Sequence, residues 1–178
     1  MRSQLQGYLL VVDDDETNRK MLSDRLETEG HRVSVAENGR LALELIQKER
    51  FDLVLLDILM PEMDGYQVLQ TLKSHPTARD IPVIVLSALD EIESAVRCIE
   101  MGAEDYLTKP CNPVLLRARI GACLEKKRLR DQEVAYLQDV TRITRAAAAV
   151  ETGAFEPETL TDVTKRTDEL GQLAKVFQ

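Results

Sequence analysis

Several short apolar runs in this chain stop abruptly on polar or charged residues, and that repeated break limits the folds open to it. Phe51-Asp52-Leu53-Val54-Leu55-Leu56 ends in Asp57 and then opens into Ile58-Leu59-Met60-Pro61-Glu62-Met63-Asp64-Gly65. A buried strand that finishes on a carboxylate and breaks into a Pro/Gly loop carries that carboxylate to the C-terminal edge of a sheet, where open α/β sheets bind ligands. Leu9-Leu10-Val11-Val12 runs into Asp13-Asp14-Asp15-Glu16, and Val83-Ile84-Val85-Leu86 runs into Ser87-Ala88. A shorter run, Asp105-Tyr106-Leu107-Thr108, delivers Lys109-Pro110. Carboxylates, a hydroxyl and a lysine at parallel strand ends are the equipment for holding a divalent metal and a phosphoryl group.

Between these runs lie helical patterns. Tyr8–Val12, Arg32–Ala36, Asp52–Leu56, Pro82–Leu86 and Asp105–Leu107 read as strands. Glu16–Glu29, Gly39–Arg50, Tyr66–Ser74 and Glu91–Met101 read as helices, with Gly30 and Gly102 closing the first and fourth. Pro113 opens a last helix, at a position where the missing N–H is tolerated. Strands alternating with helices of this length indicate βαβ units and a parallel sheet. Right-handed crossovers then put helices on both faces. The third run is apolar almost throughout, as a central strand buried on both sides requires.

Thirty-one acidic residues against 23 basic give a net charge of −8, which disfavours direct binding to nucleic acid. Aromatic residues make up only 4% and Trp is absent, so a base-stacking surface is also disfavoured. Cys98, Cys111 and Cys123 have no metal-ligand spacing and read as reduced thiols. No apolar run reaches the roughly 20 residues of a membrane span. A cytoplasmic, soluble chain with no membrane span is the expectation. Its 178 residues hold one domain, taken as residues 1–124, and an extension, residues 125–178.

In that extension Leu124-Glu-Lys-Lys-Arg-Leu-Arg-Asp-Gln-Glu133 contains nothing to stop a helix, so the last helix is expected to run on. Leu129, Tyr136, Ile143 and Val150 repeat every seven residues, and Val140 and Ala147 repeat in the register four away. This heptad predicts a coiled-coil seam and a parallel homodimer. Lys126 and Glu133 interrupt the seam early on. Gly153 and Pro157 predict a helix break, and a new helix is expected from Thr161.

The set Asp13-Asp14, Asp57, Ser87-Ala88 and Lys109-Pro110 resembles the receiver domain of bacterial two-component response regulators, over about residues 7–124. The resemblance implies a flavodoxin-like, doubly wound five-stranded parallel sheet of order 2-1-3-4-5, here with a long C-terminal helical extension. Asp57 is then the phosphoacceptor, a carboxylate nucleophile. Asp14 and Asp57 would hold Mg²⁺ with waters and the backbone carbonyl of Leu59, Asp13 acting partly through water. Lys109 would meet one phosphoryl oxygen and the Ser87 hydroxyl another. Tyr106 takes the place of the family's switch aromatic, and Lys109-Pro110 that of its cis peptide. Asp15 and Glu16 fit a helix cap better than a metal site.

Val140 to Gly153 followed by Asp168-Glu169-Leu170-Gly171 resembles, in part, a HAMP signalling module, whose helices form a parallel four-helix dimer. The implied partners are a sensor histidine kinase, a second copy of the chain and a C-terminal output domain not in this sequence, a nucleotide cyclase first among the candidates. Two rivals stand beside this reading. One is an aspartyl-phosphate hydrolase of flavodoxin-like fold, the other a scaffold that is never phosphorylated. Haloacid-dehalogenase phosphatases carry an acid/base aspartate two residues after the nucleophile, where this chain has Leu59, so no turnover enzyme is expected. Leu59 and Leu89 flank the path of a hydrolytic water in the receiver family, which implies a long-lived phosphorylated state.

Overall fold

The residues that start and stop each element account for an alternating α/β chain. The computed structural model describes residues 5–88, 92–151 and 157–177. Strands β1 (Tyr8–Val12), β2 (Arg32–Ala36), β3 (Leu53–Asp57), β4 (Val83–Ser87) and β5 (Asp105–Thr108) alternate with α1 (Glu16–Thr28), α2 (Gly39–Lys48), α3 (Gly65–Ser74), α4 (Ile92–Glu100) and α5 (Pro113–Glu151). All neighbouring strands are parallel, in the order β2-β1-β3-β4-β5. The doubly wound architecture expected from the sequence is therefore present.

Side-chain caps place the helix starts. Asp15 accepts from the Asn18 N–H at 2.8 Å, and Asn38 does the same for Leu41 at 2.8 Å. Asp64 and Gln67 form a reciprocal capping box, so α3 begins at Gly65, one residue before the expected Tyr66. Such caps are worth about 1 kcal/mol each. Gly30 and Gly102 take positive φ (93° and 97°) just past α1 and α4, as their expected role as stops requires.

Alternation along the strands sorts the core into two layers. Leu10, Val12, Val54, Leu56, Val83 and Val85 face α2, α3 and α4. Leu9, Val11, Leu53, Leu55, Ile84 and Leu86 face α1 and the first turns of α5, where Leu116, Ile120, Cys123 and Leu124 pack. Every residue of β3 and β4 is buried. With both faces covered, only the strand ends are left for chemistry.

The chain divides after Lys127 into two compact units, and the long expected helix passes through that division unbroken. In the second unit α5 is followed by two short 3₁₀ turns, Pro157–Leu160 and Val163–Lys165, and by α6 (Glu169–Lys175). The helix expected from Thr161 therefore starts later. Arg166 leaves the second turn in extended backbone, and Asp168 caps α6 by accepting from the Gly171 N–H at 3.2 Å. Gly153 lies outside the described residues.

Ile143 and Ala146 of α5 form a small core with Leu160, Val163, Leu170 and Ala174, and Val140 and Phe177 pack against it. Arg166 reinforces it by donating to Asp139 at 2.8 Å, with Asp168 as a second partner. That pairing holds the Asp168 carboxyl down at about 2. The predicted seam thus separates. Ile143 is buried within a single chain, Val140 and Ala147 are half-buried, and Leu129, Tyr136 and Val150 are exposed. Among the described residues no helix is long and apolar enough to cross a membrane.

Candidate functional site

The strand ends converge as their register demands. Asp57 is the last residue of β3 and pairs in register with Leu86, while Ser87 at the end of β4 pairs with Thr108 of β5. The Lys109 N–H donates to the Ser87 carbonyl at 2.7 Å, which carries the lysine back over the sheet edge. Its ammonium lies 2.6 Å from Asp57 Oδ2 and 2.6 Å from Asp13 Oδ2. The peptide bond from Lys109 to Pro110 is cis, as the resemblance implies.

Asp13 and Asp57 are buried, Asp14 is exposed, and one ligand atom from each falls within 4.8 Å of the others. Asp57 Oδ1 accepts from the Leu59 N–H at 3.2 Å. Asp13 Oδ1 accepts from the Asp15 N–H at 2.9 Å and lies 3.5 Å from the Asn18 amide nitrogen. The Asp13 carbonyl accepts from the Arg19 guanidinium at 2.7 Å. Ser87 is fully buried, Ala88 is exposed, and Tyr106 packs half-buried against the core under α4. Leu59 is half exposed beside Asp57. Leu89 lies outside the described residues.

The backbone of this loop is tightly built. The Gly65 N–H donates to the Ile58 carbonyl at 2.9 Å, and a Cβ on Gly65 would fall 2.2 Å from the Asp57 carbonyl oxygen. Glycine is therefore required where α3 starts under the acceptor.

Burial pushes the Asp57 carboxyl above the ordinary carboxylate range, although the hydrogen bond and charge of Lys109 oppose the shift. Burial also works against the Lys109 charge, but its hydrogen bonds to Asp13 and Asp57 outweigh this and hold the ammonium above the usual lysine range. The two directions are compatible because two carboxylates share one ammonium. Lys109 gains from both partners, whereas Asp57 has half a counter-charge and feels Asp13 beside it.

Three carboxylates around one point, one of them open to solvent, suit a hard divalent cation that keeps part of its shell for water and phosphate. The donor set fits Mg²⁺. Both Asp13 oxygens are already engaged, Oδ1 by the Asp15 N–H and Oδ2 by the Lys109 ammonium. The sequence reading overlooked Asn18 and Arg19. Both lie on the α1 face that also carries Leu22 and Leu26, and that helical spacing was the available signal.

The sequence model of the response regulator receiver domain matches residues 9–121. The chain belongs to that family. Among curated relatives, the chain is 41% identical over 128 residues to the response regulator PleD of Caulobacter vibrioides, covering 72% of this chain and 28% of PleD. It is 39% identical over 133 residues to the probable transcriptional regulator ycf27 of Cyanidium caldarium, covering 75% of this chain and 52% of that protein. The receiver domain of a signal transduction histidine kinase from Syntrophus aciditrophicus superposes with a TM-score of 0.63 at 40% identity, over 67% of this chain and 91% of that one. NtrX from Brucella abortus gives 0.69 at 32% identity, over 77% of this chain and 30% of that one. The chain thus spans about half the length of one curated relative and just over a quarter of the other. The family match ends at residue 121, so the HAMP resemblance of residues 125–178 gains no support from it.

Proposed function

We propose that this receiver accepts a phosphoryl group on Asp57 from the phosphohistidine of a sensor kinase. The observation that carries this reading is Asp57 at the sheet edge, with Asp13 and Asp14 beside it and Lys109 at 2.6 Å. An Asp57 carboxylate oxygen forms the new bond to phosphorus as the histidine N–P bond breaks, and the released imidazole takes up a proton. Bound Mg²⁺, held by Asp13, Asp14 and Asp57, supplies charge neutralisation. Lys109 moves from carboxylate to phosphoryl oxygen, and the Ser87 hydroxyl meets another. An apolar cleft of about 450 Å³, bordered by Met21, Leu22, Leu86 and Pro110, opens beside Lys109 and supports docking of a kinase helix there. With apolar Leu59 in the acid/base position of the dehalogenase-type phosphatases, the domain acts as an acceptor, not a turnover enzyme.

The signal then leaves along α5 to a homodimeric, HAMP-like relay and an output domain such as a nucleotide cyclase, in the cytoplasm. Support for the relay is the unbroken α5, the exposed Leu129, Tyr136 and Val150, and the Asp168 cap at Asp168-Glu169-Leu170-Gly171. The test of acceptance is incubation with acetyl phosphate or beryllofluoride and Mg²⁺. Wild-type protein gains one label that Asp57→Asn lacks. Equal labelling of the Asn variant, mapped to another residue, would overturn the assignment.

A further inference from the structure

We infer that Arg19 is a positioning residue for the metal site, acting through the backbone between Asp13 and Asp14. The inference rests on the Mg²⁺ reading above and adds a residue to it. β1 ends at Val12, and the Asp13 N–H still donates to the Ala36 carbonyl at 3.2 Å. The Asp13 carbonyl no longer has a strand partner, and Arg19 takes that place at 2.7 Å. The peptide plane is rigid, so holding this carbonyl sets the direction in which the chain reaches Asp14.

Asp14 depends on that direction more than its neighbours do. Asp13 is held by the Asp15 N–H and Lys109, and Asp57 by the Leu59 N–H and Lys109. Among the described residues nothing donates to the Asp14 carboxylate, which is exposed. Its approach to the other two is therefore a property of the backbone, and Arg19 is the side chain that clamps that backbone. The planar guanidinium on a half-buried stem suits a fixed bond better than a lysine ammonium would.

The charge of Arg19 and its clamping act in opposite directions on Mg²⁺, which makes the test decisive. Removing a positive charge near three carboxylates would by itself tighten cation binding. Loss of positioning weakens it, by roughly 10-fold when the supporting partner of a metal ligand is removed. Mg²⁺ titration by calorimetry of the wild-type chain, Arg19→Gln, Arg19→Lys and Arg25→Gln separates the two. Arg25 lies on the same helix, beside the cleft, and serves as the charge control.

Arg19→Gln is expected to bind Mg²⁺ about 10-fold more weakly, Arg19→Lys to fall between, and Arg25→Gln to match wild type. In metal-free protein, amide hydrogen exchange at Asp14 and Asp15 should quicken in Arg19→Gln while the rest of β1 keeps its protection. Unchanged or tighter Mg²⁺ binding in both Arg19 variants would overturn the inference, as would equal weakening in Arg25→Gln. If Arg19→Gln does not fold, Arg19→Lys alone decides it. Failure of the wild-type chain to bind Mg²⁺ would instead sink the metal-site reading.

Discussion

Lys109 Nζ sits 2.6 Å from Asp57 Oδ2, although 52 residues separate them in sequence. The same ammonium also serves Asp13, so the pocket holds two buried negative charges against one positive charge. Removing Lys109 should therefore cost more than an ordinary ion pair. Lys109→Met is expected to lower stability by about 2–3 kcal/mol, somewhat less than a fully buried pair would lose, because the ammonium is partly exposed. Urea unfolding of metal-free protein at neutral pH measures it, and a loss below 1 kcal/mol would refute it.

Asp57 makes the opposite prediction. Burial raises its folded-state pKa, so the folded chain binds that proton more tightly than the unfolded chain. Ionised Asp57 therefore costs stability, and the cost appears as pH rises from the unfolded pKa through the folded one. Metal-free Asp57→Asn should be more stable than wild type at pH 7.5 by on the order of 1 kcal/mol. The gap should close as pH falls to about 4, the ordinary aspartate range. A wild type that is the more stable at pH 7.5 would sink this prediction.

Sequence periodicity made much of this site legible. Apolar runs that stop on Asp13, Asp57 and Ser87 gave away the strand ends, because a strand buried on both faces can be polar only where it leaves the sheet. Contacts that depend on where a helix side chain returns were not legible, and Arg19 reaching the Asp13 carbonyl is one of them. In the second unit a heptad pattern showed which positions are apolar but not what covers them. Ile143 is covered by Leu160 and Val163, supplied by turns whose 3₁₀ geometry leaves no sequence period, and by Leu170 of the short α6.

Mg²⁺ should stabilise the folded chain, because three crowded carboxylates exist together only there. At 100 times the dissociation constant the gain is about 2.7 kcal/mol by mass action. Thermal unfolding with and without Mg²⁺ checks it. Asp14→Asn should abolish most of the shift while leaving the metal-free midpoint within a degree or so, since Asp14 is exposed. A full shift in that variant would remove Asp14 from the site.

Leu129 and Tyr136 are 52% and 46% exposed on a helix that already spends Ile143 on its own chain. If the chain is a dimer, as proposed, the contact must use these exposed positions. Leu129→Glu combined with Tyr136→Glu should convert the full chain to a monomer in light scattering at tens of micromolar. The same pair should leave phosphorylation by acetyl phosphate unchanged. A wild-type chain that is itself monomeric at that concentration would sink the dimer.

The lifetime of phosphorylated Asp57 should be long compared with that of fast chemotaxis-type receivers. Hydrolysis requires a water held in line with phosphorus, and such positioning is most of what a protein contributes to phosphoryl transfer. Leu59 stands two residues beyond the acceptor, half exposed, with its N–H already committed to Asp57 Oδ1. Its side chain offers a water no hydrogen bond. Leu59→Asn supplies a donor and an acceptor at nearly the same volume, so phosphate loss should quicken severalfold while uptake from acetyl phosphate changes little. Following release of phosphate from purified, labelled protein reads both variants directly. Decay of the wild type within seconds, or no acceleration in Leu59→Asn, would show that Leu59 does not control the water.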